Sequence, residues 1–315
     1  MMTPEKIRIG TRGSKLALFQ ANWVKSELIR LFPGLAVDIE IIKTRGDKIL
    51  DVPLAKVGGK GLFVKEIEEA LLDRSIDIAV HSMKDMPSEL PEGLFIGAVP
   101  KREIPNDVLI SNGTTPLVKF QQGATIGTSS LRRASQILAI RPDFQIVPLR
   151  GNVDTRIGKL KNGEMDGIIL AAAGVKRLNL EHHVTEVIDT NTILPAVGQG
   201  ALCIEARRSD DSLIAILKGL DDPQTRLAVS GERAFLKRLE GGCQVPIAAY
   251  GTLVNDDLIL TGLVADLDGS KVLKETMQGK KNDFLKLGIE LAERLLAKGA
   301  APILERLKHD ETLRQ

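Results

Sequence analysis

The sequence has few cysteines, few aromatic residues and almost no net charge. Its 315 residues include two Cys, one Trp, one Tyr and eight Phe. Two cysteines cannot build a disulfide framework, which agrees with a reducing, cytoplasmic compartment. So few aromatic rings leave little surface on which nucleobases could stack. The 43 Lys and Arg nearly balance the 41 Asp and Glu, so charge provides no general attraction to nucleic acid or to an anionic membrane.

Long apolar runs and metal-ligand patterns are missing as well. No apolar run approaches the length of a membrane span, and the N-terminal MMTPEKIRIG lacks the apolar core of a signal peptide. His81, His182 and His183 show no ligand spacing with cysteine or acidic residues, so no metal site is expected. A membrane protein and a metalloprotein are therefore both disfavoured.

The length of the chain and its pattern of apolar residues predict several α/β domains. Hydrophobic residues make up 43% of the chain, and its length fits two or three domains. Strand-like runs such as residues 7–10 and 77–80 alternate with helix-like ones, which is typical of α/β architecture. Ser14 is placed to cap a helix whose apolar residues recur on one stripe from Ala17 to Leu31.

An internal echo predicts two similar lobes. The tripeptide Ile9-Gly10-Thr11 before the first helix is repeated in kind by Ile126-Gly127-Thr128 before a helix over residues 131–140. The segment LLDRSIDIAV, from Leu71, is matched in the same way by LKNGEMDGII, from Leu160. Each match is weak alone, but two in the same order favour a duplicated lobe.

Proline-marked crossings suggest where the domains divide. We expect domain 1 to comprise residues 1–99 with 200–220, domain 2 residues 100–199, and domain 3 residues 221–315. ALCIEA, residues 201–206, is expected to return to the first lobe as a strand. The third domain is expected to hold helices over 225–239 and 283–298 and strands over 258–266 and 271–276. Two such lobes form a cleft, and ligands bind at the carboxyl ends of their strands.

Arginines cluster in the loops that follow predicted strands. They are Arg12, Arg132 and Arg133 in GTSSLRR (127–133), Arg150 and Arg156 in LRGNVDTR (149–156), and Arg177. Each alone is typical of a solvated surface, but their repeated placement where a strand turns into a helix favours anion binding. Arginine pairs with carboxylate or phosphate, so the predicted ligand carries several acidic groups. No phosphate-loop or dinucleotide motif is present, which argues against nucleotides.

The loop HSMKDMP, residues 81–87, places Lys84 and Asp85 together at the end of a predicted strand. They form either an exposed ion pair or part of the site. A carboxylate suits an arginine-rich cleft only if the ligand also carries N–H donors or develops positive charge. A second loop, LAKVGGKGLF (54–63), is either a lid over the cleft or a flexible connection.

The two cysteines have different surroundings. Cys203 lies in the apolar run ALCIEA and is expected to be a small buried hydrophobe. Cys243 follows Gly241 and Gly242 and precedes the stiff Pro246, so its thiol is presented on a shaped loop.

Together these motifs resemble the porphobilinogen deaminase (hydroxymethylbilane synthase) family. The matching motifs occur in the family's order over residues 11–246: TRGS (11–14), KVGGKGLF (56–63), HSMKD (81–85), GTSSLRR (127–133), RGNVDTR (150–156), AVGQGAL (196–202) and LEGGCQVP (239–246). HSMKD and LEGGCQVP are the most specific. After residue 246 the resemblance rests on order and length alone.

The resemblance implies a fold and an activity. The fold would be two lobes like those of class II periplasmic binding proteins, forming a cleft, plus a smaller α+β C-terminal domain. The protein would be a cytoplasmic, monomeric transferase of tetrapyrrole biosynthesis that condenses four porphobilinogen molecules into hydroxymethylbilane with release of ammonia. A dipyrromethane cofactor would be attached to Cys243 by a thioether, and the growing polypyrrole chain would extend from it.

The resemblance also implies roles for individual residues. Asp85 would be catalytic and would contact the cofactor. Cofactor binding would involve Cys243, Lys84, Thr128, Ser130, Arg132, Arg133 and Arg150. Substrate and the growing chain would contact Arg12, Ser14, Gln20, Phe63, Arg156, Arg177 and Gln199.

Two other functions remain open from the residues themselves. One is a non-catalytic two-lobed binding protein for a small polycarboxylate, against which the absent signal peptide and the presented thiol argue. The other is an enzyme that uses Cys243 as an ordinary nucleophile with a histidine base, although no histidine lies near it in sequence. A covalently bound dipyrrole on the purified protein is expected only for the deaminase.

Overall fold

The computed structural model describes residues 4–48, 61–240 and 245–312. These residues form two compact units. The first comprises residues 4–48, 61–103 and 201–226, and the second comprises residues 104–200, 227–240 and 245–312.

The secondary structure over the described residues alternates between strands and helices, which confirms the predicted α/β class. The strands are β1 (Lys6–Thr11), β2 (Ala36–Ile41), β3 (Ile78–Ser82), β4 (Leu94–Ala98), β5 (Asp107–Ser111), β6 (Thr125–Gly127), β7 (Gln145–Val147), β8 (Gly167–Ala171), β9 (Glu186–Ile188), β10 (Leu202–Arg207), β11 (Ile247–Val254), β12 (Asp257–Ala265) and β13 (Val272–Lys280). The helices are α1 (Lys15–Leu31), α2 (Arg45–Lys48), α3 (Lys65–Leu72), α4 (Leu131–Ile140), α5 (Val153–Lys161), α6 (Ala172–Arg177), α7 (Asp211–Leu217), α8 (Pro223–Arg238), α9 (Phe284–Leu295) and α10 (Ala301–Thr312). None of these helices is long and apolar enough to cross a membrane.

The first unit is built on a five-stranded mixed sheet with the order β2-β1-β3-β10-β4. Strand β1 runs parallel to β2 and β3, whereas β10 runs antiparallel to β3 and β4. The return of ALCIEA to this lobe is therefore confirmed. Alternation along β3 sends Val80 to the core that contains α1 and sends Ala79 to the core that contains α3. Residues at the carboxyl end of β3 can therefore contact either helix.

Helix α1 forms as the sequence predicts. The Ser14 side chain accepts a hydrogen bond from the Ala17 backbone N–H, which satisfies a donor that the first turn leaves without a partner. Gln20, Ala21, Val24 and Leu28 are buried, and their spacing of three or four residues places them on one face. Capping and burial together place the start of this helix directly after the loop that carries Arg12.

The second unit repeats the topology of the first. Its five-stranded sheet has the order β7-β6-β8-β5-β9, with β6 parallel to β7 and β8, and β5 antiparallel to β8 and β9. The echoed tripeptides lie in β1 and β6, and the echoed longer segments end in β3 and β8, which are equivalent strands of the two sheets. The two lobes therefore correspond as the sequence echo predicts.

The second unit also contains the three-stranded antiparallel sheet β11-β12-β13, which packs with α8, α9 and α10. Its core includes the fully buried Phe235, and Gly262 of β12 lies so close to that ring that a Cβ there would come within 2.6 Å of it. The two predicted strands correspond to β12 and β13, and the smaller α+β C-terminal region is confirmed. Strand β11 is not among the predicted strands, because its small residues Ala248, Ala249 and Gly251 carry little strand signal.

Candidate active site

In the first unit a pocket lies where β1 and β3 end. Five of the residues that the sequence predicts as site residues line it: Arg12, Ser14, Gln20, Phe63 and Asp85. Its empty volume is about 410 Å³, which includes the solvent at its open mouth. Residues from three separate parts of the chain thus converge on one concave surface.

Arg12 is held in this pocket by an acid and by an aromatic ring. Its guanidinium group donates hydrogen bonds to the Asp47 carboxylate, with Nε 3.1 Å from Oδ1. The same group lies over the Phe63 ring, 4.1 Å from its centroid, which is a favourable cation–π geometry. Phe63 therefore packs on the arginine side chain that is expected to bind a carboxylate.

The Asp47 carboxylate is fixed by its own hydrogen bonds. It accepts from the Thr44 hydroxyl at 2.8 Å and from the Thr44 backbone N–H at 3.3 Å. Burial raises the pKa of the Asp47 carboxyl, but the hydrogen bonds from Arg12 and Thr44 outweigh this effect and hold the pKa below its ordinary value. Asp47 is therefore a charged anchor for Arg12.

Ser14 and Gln20 use their polar groups within the protein. Ser14 caps α1, and the buried Gln20 side chain donates a hydrogen bond from Nε2 to the Ser82 hydroxyl at 3.0 Å. Ser82 is the last residue of β3, so this bond ties α1 to the strand end. The assignment of both residues to substrate contact stays a prediction.

Asp85 lies in a tight 3₁₀ turn, Met83–Asp85, directly after β3. Met83 is buried, and its backbone N–H donates to the Ala201 carbonyl at 3.0 Å. Lys84 is half-buried, whereas Asp85 is exposed on the pocket wall. The turn thus anchors one side chain in the core and leaves the carboxylate available to a ligand.

In the second unit, three predicted residues surround one buried acid, Asp107. Arg132 Nη1 donates to Asp107 Oδ2 at 2.7 Å, and Arg133 donates to Oδ1 from Nε at 3.0 Å and from Nη2 at 2.7 Å. Gln199 Nε2 also donates to Oδ1, at 2.9 Å. All four side chains are buried. Asp107 therefore holds two arginines and a glutamine in fixed orientations.

The charge balance of this cluster favours a further anion. Burial alone would raise the pKa of Asp107, but the charges and hydrogen bonds of Arg132 and Arg133 hold it well below its ordinary range. Burial lowers the pKa of Arg132, and Asp107 opposes that effect. Two guanidinium groups against one carboxylate leave an excess of positive charge.

Arg150 and Arg156 add to that positive field. Burial and the charges of Arg133 and Arg150 lower the pKa of Arg156 to about 10, so these three groups lie close enough to repel one another. Arg156 also donates from Nε to the Gly151 carbonyl at 2.9 Å. Cations held together in this way are stabilised by a bound anion with several carboxylates.

The remaining predicted residues of the second unit lie near helix ends. Ser130 precedes α4 without capping it through its side chain, and its backbone N–H donates to the Thr128 hydroxyl at 3.2 Å. Arg177 ends α6 and donates from Nη2 to the Gly200 carbonyl at 2.8 Å. These positions are compatible with anion binding at the start of α4.

Two predicted features fall outside the described residues. Cys243 is one, and the part of the glycine-rich loop before Gly61 is the other. Cys203 is described: it lies in β10 and is fully buried, as expected for a small hydrophobe.

Sequence reasoning missed the acids that organise the site. Asp107 opens an apolar strand in the same way as Asp77 and Asp166, so that repeated pattern could have identified it. The sequence gives a weaker indication for Asp47, because its position three residues after Thr44 is the only feature that suggests a local hydrogen bond. Glu205 lies within an apolar strand and is fully buried. Because burial of an acidic side chain is costly, an acid in an apolar run indicates a specific interaction partner.

Comparison with known families gives a match over most of the chain. The model described as "Porphobilinogen deaminase, dipyromethane cofactor binding domain" matches residues 7–215, and the model described as "Porphobilinogen deaminase, C-terminal domain" matches residues 226–297.

Curated relatives match over nearly their whole length. A porphobilinogen deaminase of Trichlorobacter lovleyi is 56% identical over 304 residues, which cover 96% of this chain and 97% of the relative. One of Brevibacillus brevis is 56% identical over 308 residues, covering 97% and 99% of the two chains.

Solved structures show a more distant likeness. The periplasmic aliphatic sulphonate binding protein SsuA of Escherichia coli is 18% identical, with a TM-score of 0.42 and coverage of 76% of this chain and 71% of that one. Substrate binding domain 2 of Lactococcus lactis GlnP is 12% identical, with a TM-score of 0.43 and coverage of 70% and 90%. Scores this low support no conclusion about this chain.

Proposed function

The chain belongs to the porphobilinogen deaminase family, and from this premise we propose how its residues carry out the family's reaction. It is a transferase of tetrapyrrole biosynthesis that condenses four porphobilinogen molecules into linear hydroxymethylbilane and releases ammonia. Porphobilinogen carries acetate and propionate groups, so each added unit brings two negative charges. The residues must therefore hold a polyanion and also stabilise a cation at the reacting carbon.

The dipyrromethane cofactor of the family carries carboxylates. The arginine side chains of the second unit provide positive charge that would attract them. Arg133, Arg150 and Arg156 are close enough to depress the pKa of Arg156, and such mutual repulsion is relieved by bound carboxylates. We assign cofactor binding to Lys84, Thr128, Ser130, Arg132, Arg133 and Arg150, with a thioether to Cys243. When bound, the cofactor supplies the pyrrole carbon to which the first substrate is joined.

Asp107 supports this assignment, because it sets the orientation of Arg132 and Arg133. A guanidinium group has five N–H donors in a fixed fork. The bonds to Asp107 use part of them, and Arg132 also donates to the Leu194 carbonyl and to Gln199 Oε1, while Arg133 also donates to the Ile169 carbonyl, so each arginine keeps some donors for a ligand. Each arginine therefore keeps a defined direction for a second acidic partner. Such fixed donors lose less conformational entropy on binding than mobile side chains do.

We assign substrate and growing-chain contacts to Arg12, Ser14, Gln20, Phe63, Arg156, Arg177 and Gln199. In the first unit, Arg12 stacks on Phe63 and keeps its charge beside Asp47. A substrate carboxylate would pair with the guanidinium, while Phe63 offers an apolar surface to a pyrrole ring. The polar Ser14 and Gln20 border the same pocket.

Asp85 is the proposed catalytic residue. Its carboxylate accepts hydrogen bonds from pyrrole N–H groups of the substrate and stabilises the positive charge that develops as ammonia leaves. The observation that carries this proposal is that Asp85 borders the same pocket as Arg12, Ser14, Gln20 and Phe63. An acid and a carboxylate-binding arginine in one pocket suit a substrate that is anionic at its edge and cationic at its reacting carbon.

We also propose three domains, over residues 1–99 with 200–220, 100–199 and 221–315, and a monomeric, cytoplasmic protein. The two equivalent mixed sheets and the separate antiparallel sheet support three domains. The low cysteine content suits a reducing compartment. Sedimentation of the purified protein measures whether it is a monomer.

Replacement of Asp85 tests the catalytic assignment. Asp85→Asn keeps the shape of the side chain and an accepting oxygen but removes the charge. We expect turnover of porphobilinogen to fall by at least roughly 10²–10⁴-fold, as on loss of a positioned acid–base group, while the dipyrrole stays bound. Asp85→Glu keeps the charge one methylene away and should retain more activity than Asn. Product formation is measured in variants whose intact mass shows the cofactor.

The contrast between the two variants decides the role. If Asp85→Asn matches the wild type, or clearly exceeds Asp85→Glu, then Asp85 serves only as a hydrogen-bond acceptor. Its catalytic assignment would then be withdrawn, while the assignment of the chain to the family would stand.

A further inference from the structure

Helix α4, which carries Arg132 and Arg133, is bound through its buried Gln136 to a distant segment of the chain. Gln136 Oε1 accepts a hydrogen bond from the Leu194 backbone N–H at 2.7 Å, and Gln136 Nε2 donates to the Leu194 carbonyl at 3.2 Å. Arg132 Nη1 donates to the same carbonyl at 2.7 Å. One side-chain amide thus pairs with both backbone groups of Leu194, and the Arg132 guanidinium shares one of them.

The segment that begins at Leu194 also contacts the C-terminal sheet. The Leu194 side chain is buried against residues of β11 and β12. Val197 lies in the core that this sheet forms with α8, α9 and α10. The Gly198 backbone N–H donates to the buried Glu232 carboxylate of α8 at 2.7 Å. Residues 194–198 therefore join α4 to the C-terminal sheet.

The turn between β12 and β13 makes a second contact with α4. Gly269 is buried in this turn with a φ of +71°, and a Cβ there would lie 2.5 Å from both the Ser135 carbonyl oxygen and the Ala139 backbone nitrogen. Both atoms belong to the backbone of α4, which cannot move aside as a flexible side chain can. The turn packs directly on the helix, and only glycine permits so close an approach.

The same sheet determines where the loop that carries Cys243 begins and ends. Leu239, which follows α8, and Ile247, the first residue of β11, are both buried in the core of this sheet. Cys243 lies between them in the sequence. The contacts of α4 with the sheet therefore connect the two arginines to both ends of the cysteine loop.

We propose that Gln136 and Gly269 are positioning residues for the dipyrromethane, because they fix α4 against the sheet that bears the Cys243 loop. A ligand attached at one end pairs its carboxylates with arginines at the other only if the separation of the two anchors suits its length. This inference rests on the proposed assignment of Cys243, Arg132 and Arg133 to cofactor binding.

The first test is the loaded fraction, meaning the fraction of purified protein that carries the dipyrrole by intact mass. Gln136→Met keeps the length of the side chain but leaves the buried Leu194 N–H without its acceptor. We expect the loaded fraction to fall severalfold below that of the wild type. Gln224→Met, at an exposed position of α8, is the control and should load as the wild type does. Equal loading in Gln136→Met and the wild type would overturn the proposal.

Two glycines with the same backbone conformation provide the second test. Gly163 has a φ of +76°, close to that of Gly269, but a Cβ at Gly163 meets no described atom within 4 Å. Alanine therefore strains the backbone similarly at both positions, and only at Gly269 does it also displace α4. We expect Gly269→Ala to load severalfold less than Gly163→Ala. The same loaded fraction in both variants would contradict the role of the turn.

Melting temperatures separate positioning from a general loss of stability. Leu307→Ala removes a buried side chain of α10 and so destabilises the C-terminal core while leaving Gln136 and Gly269 in place. When loading is plotted against melting temperature, Gln136→Met and Gly269→Ala should lie below the line through the wild type, Gly163→Ala and Leu307→Ala. If all five proteins lie on one line, the two residues are only structural and the proposal fails. A wild-type protein without the dipyrrole would instead contradict the proposed function.

Discussion

Arg132 and Arg133 show how a single residue can serve both the fold and the site. Both donate to Asp107, which is fully buried, and Arg132 also donates to the Leu194 carbonyl at 2.7 Å. Replacing either arginine removes a proposed ligand contact and also leaves a buried acid with one partner fewer. Activity alone therefore cannot separate the two effects, whereas stability can.

The stability effect of Arg132→Leu follows from this arrangement. Breaking a buried ion pair by removal of one partner typically costs about 3–5 kcal/mol, because the other charge stays buried. We expect a clear drop in melting temperature, and Asp107→Asn in the same chain should lower it further, because that change leaves the buried Arg133 without its acidic partner. Arg30→Leu, at an exposed ion pair on α1, should leave the melting temperature near that of the wild type. If Arg132→Leu melts like Arg30→Leu, the buried pair contributes little.

At the scale of elements, the short helix α2 determines the position of Phe63, which lines the pocket. Gly46 lies in α2 against the Phe63 ring, and its backbone N–H donates to the Leu62 carbonyl at 2.9 Å. A Cβ at Gly46 would come within 2.2 Å of that ring. Phe63 can lie over Arg12 only because position 46 has no side chain.

Gly46→Ala should therefore displace Phe63 and weaken the cation–π contact with Arg12, which is worth about 0.5–2 kcal/mol. We expect KM for porphobilinogen to rise severalfold, with the cofactor still attached. Gly158→Ala is the control, because a Cβ there meets no atom within 4 Å and the residue lies inside α5. That substitution should leave KM unchanged and stabilise the helix by about 0.5–1 kcal/mol. Equal KM values in the two variants would contradict the packing argument.

Elements with strong local signals could be predicted from the sequence. Helix α1 has a capping Ser14 and a regular apolar stripe, and α4 has the predicted bounds. Strand β11 and helix α2 could not, since small residues or a four-residue length leave no periodic pattern. Long-range pairing is the second limit: the contacts of Asp107 and Glu205 join residues far apart in sequence, which no local pattern encodes.

At the scale of the whole molecule, the sequence echo proved informative because the two mixed sheets share one topology. The proposed site residues share this origin, since loops after equivalent strands carry the arginines and Asp85. Their exact partners could not be predicted, because a motif specifies which residue is present and not which acid lies behind it. The reaction itself is inferred from membership of the family and not from the geometry of the site.

The central claim is that this chain carries a dipyrromethane on Cys243 and elongates it with porphobilinogen. Cys203 is fully buried in β10 and unsuited to carry such a group. Intact mass of the purified protein, followed by peptide mapping, tests the claim most directly. The account predicts a dipyrrole adduct on the Cys243 peptide, retained in Cys203→Ser and absent with loss of activity in Cys243→Ser. An active protein without the adduct, or with the adduct on another residue, would contradict it.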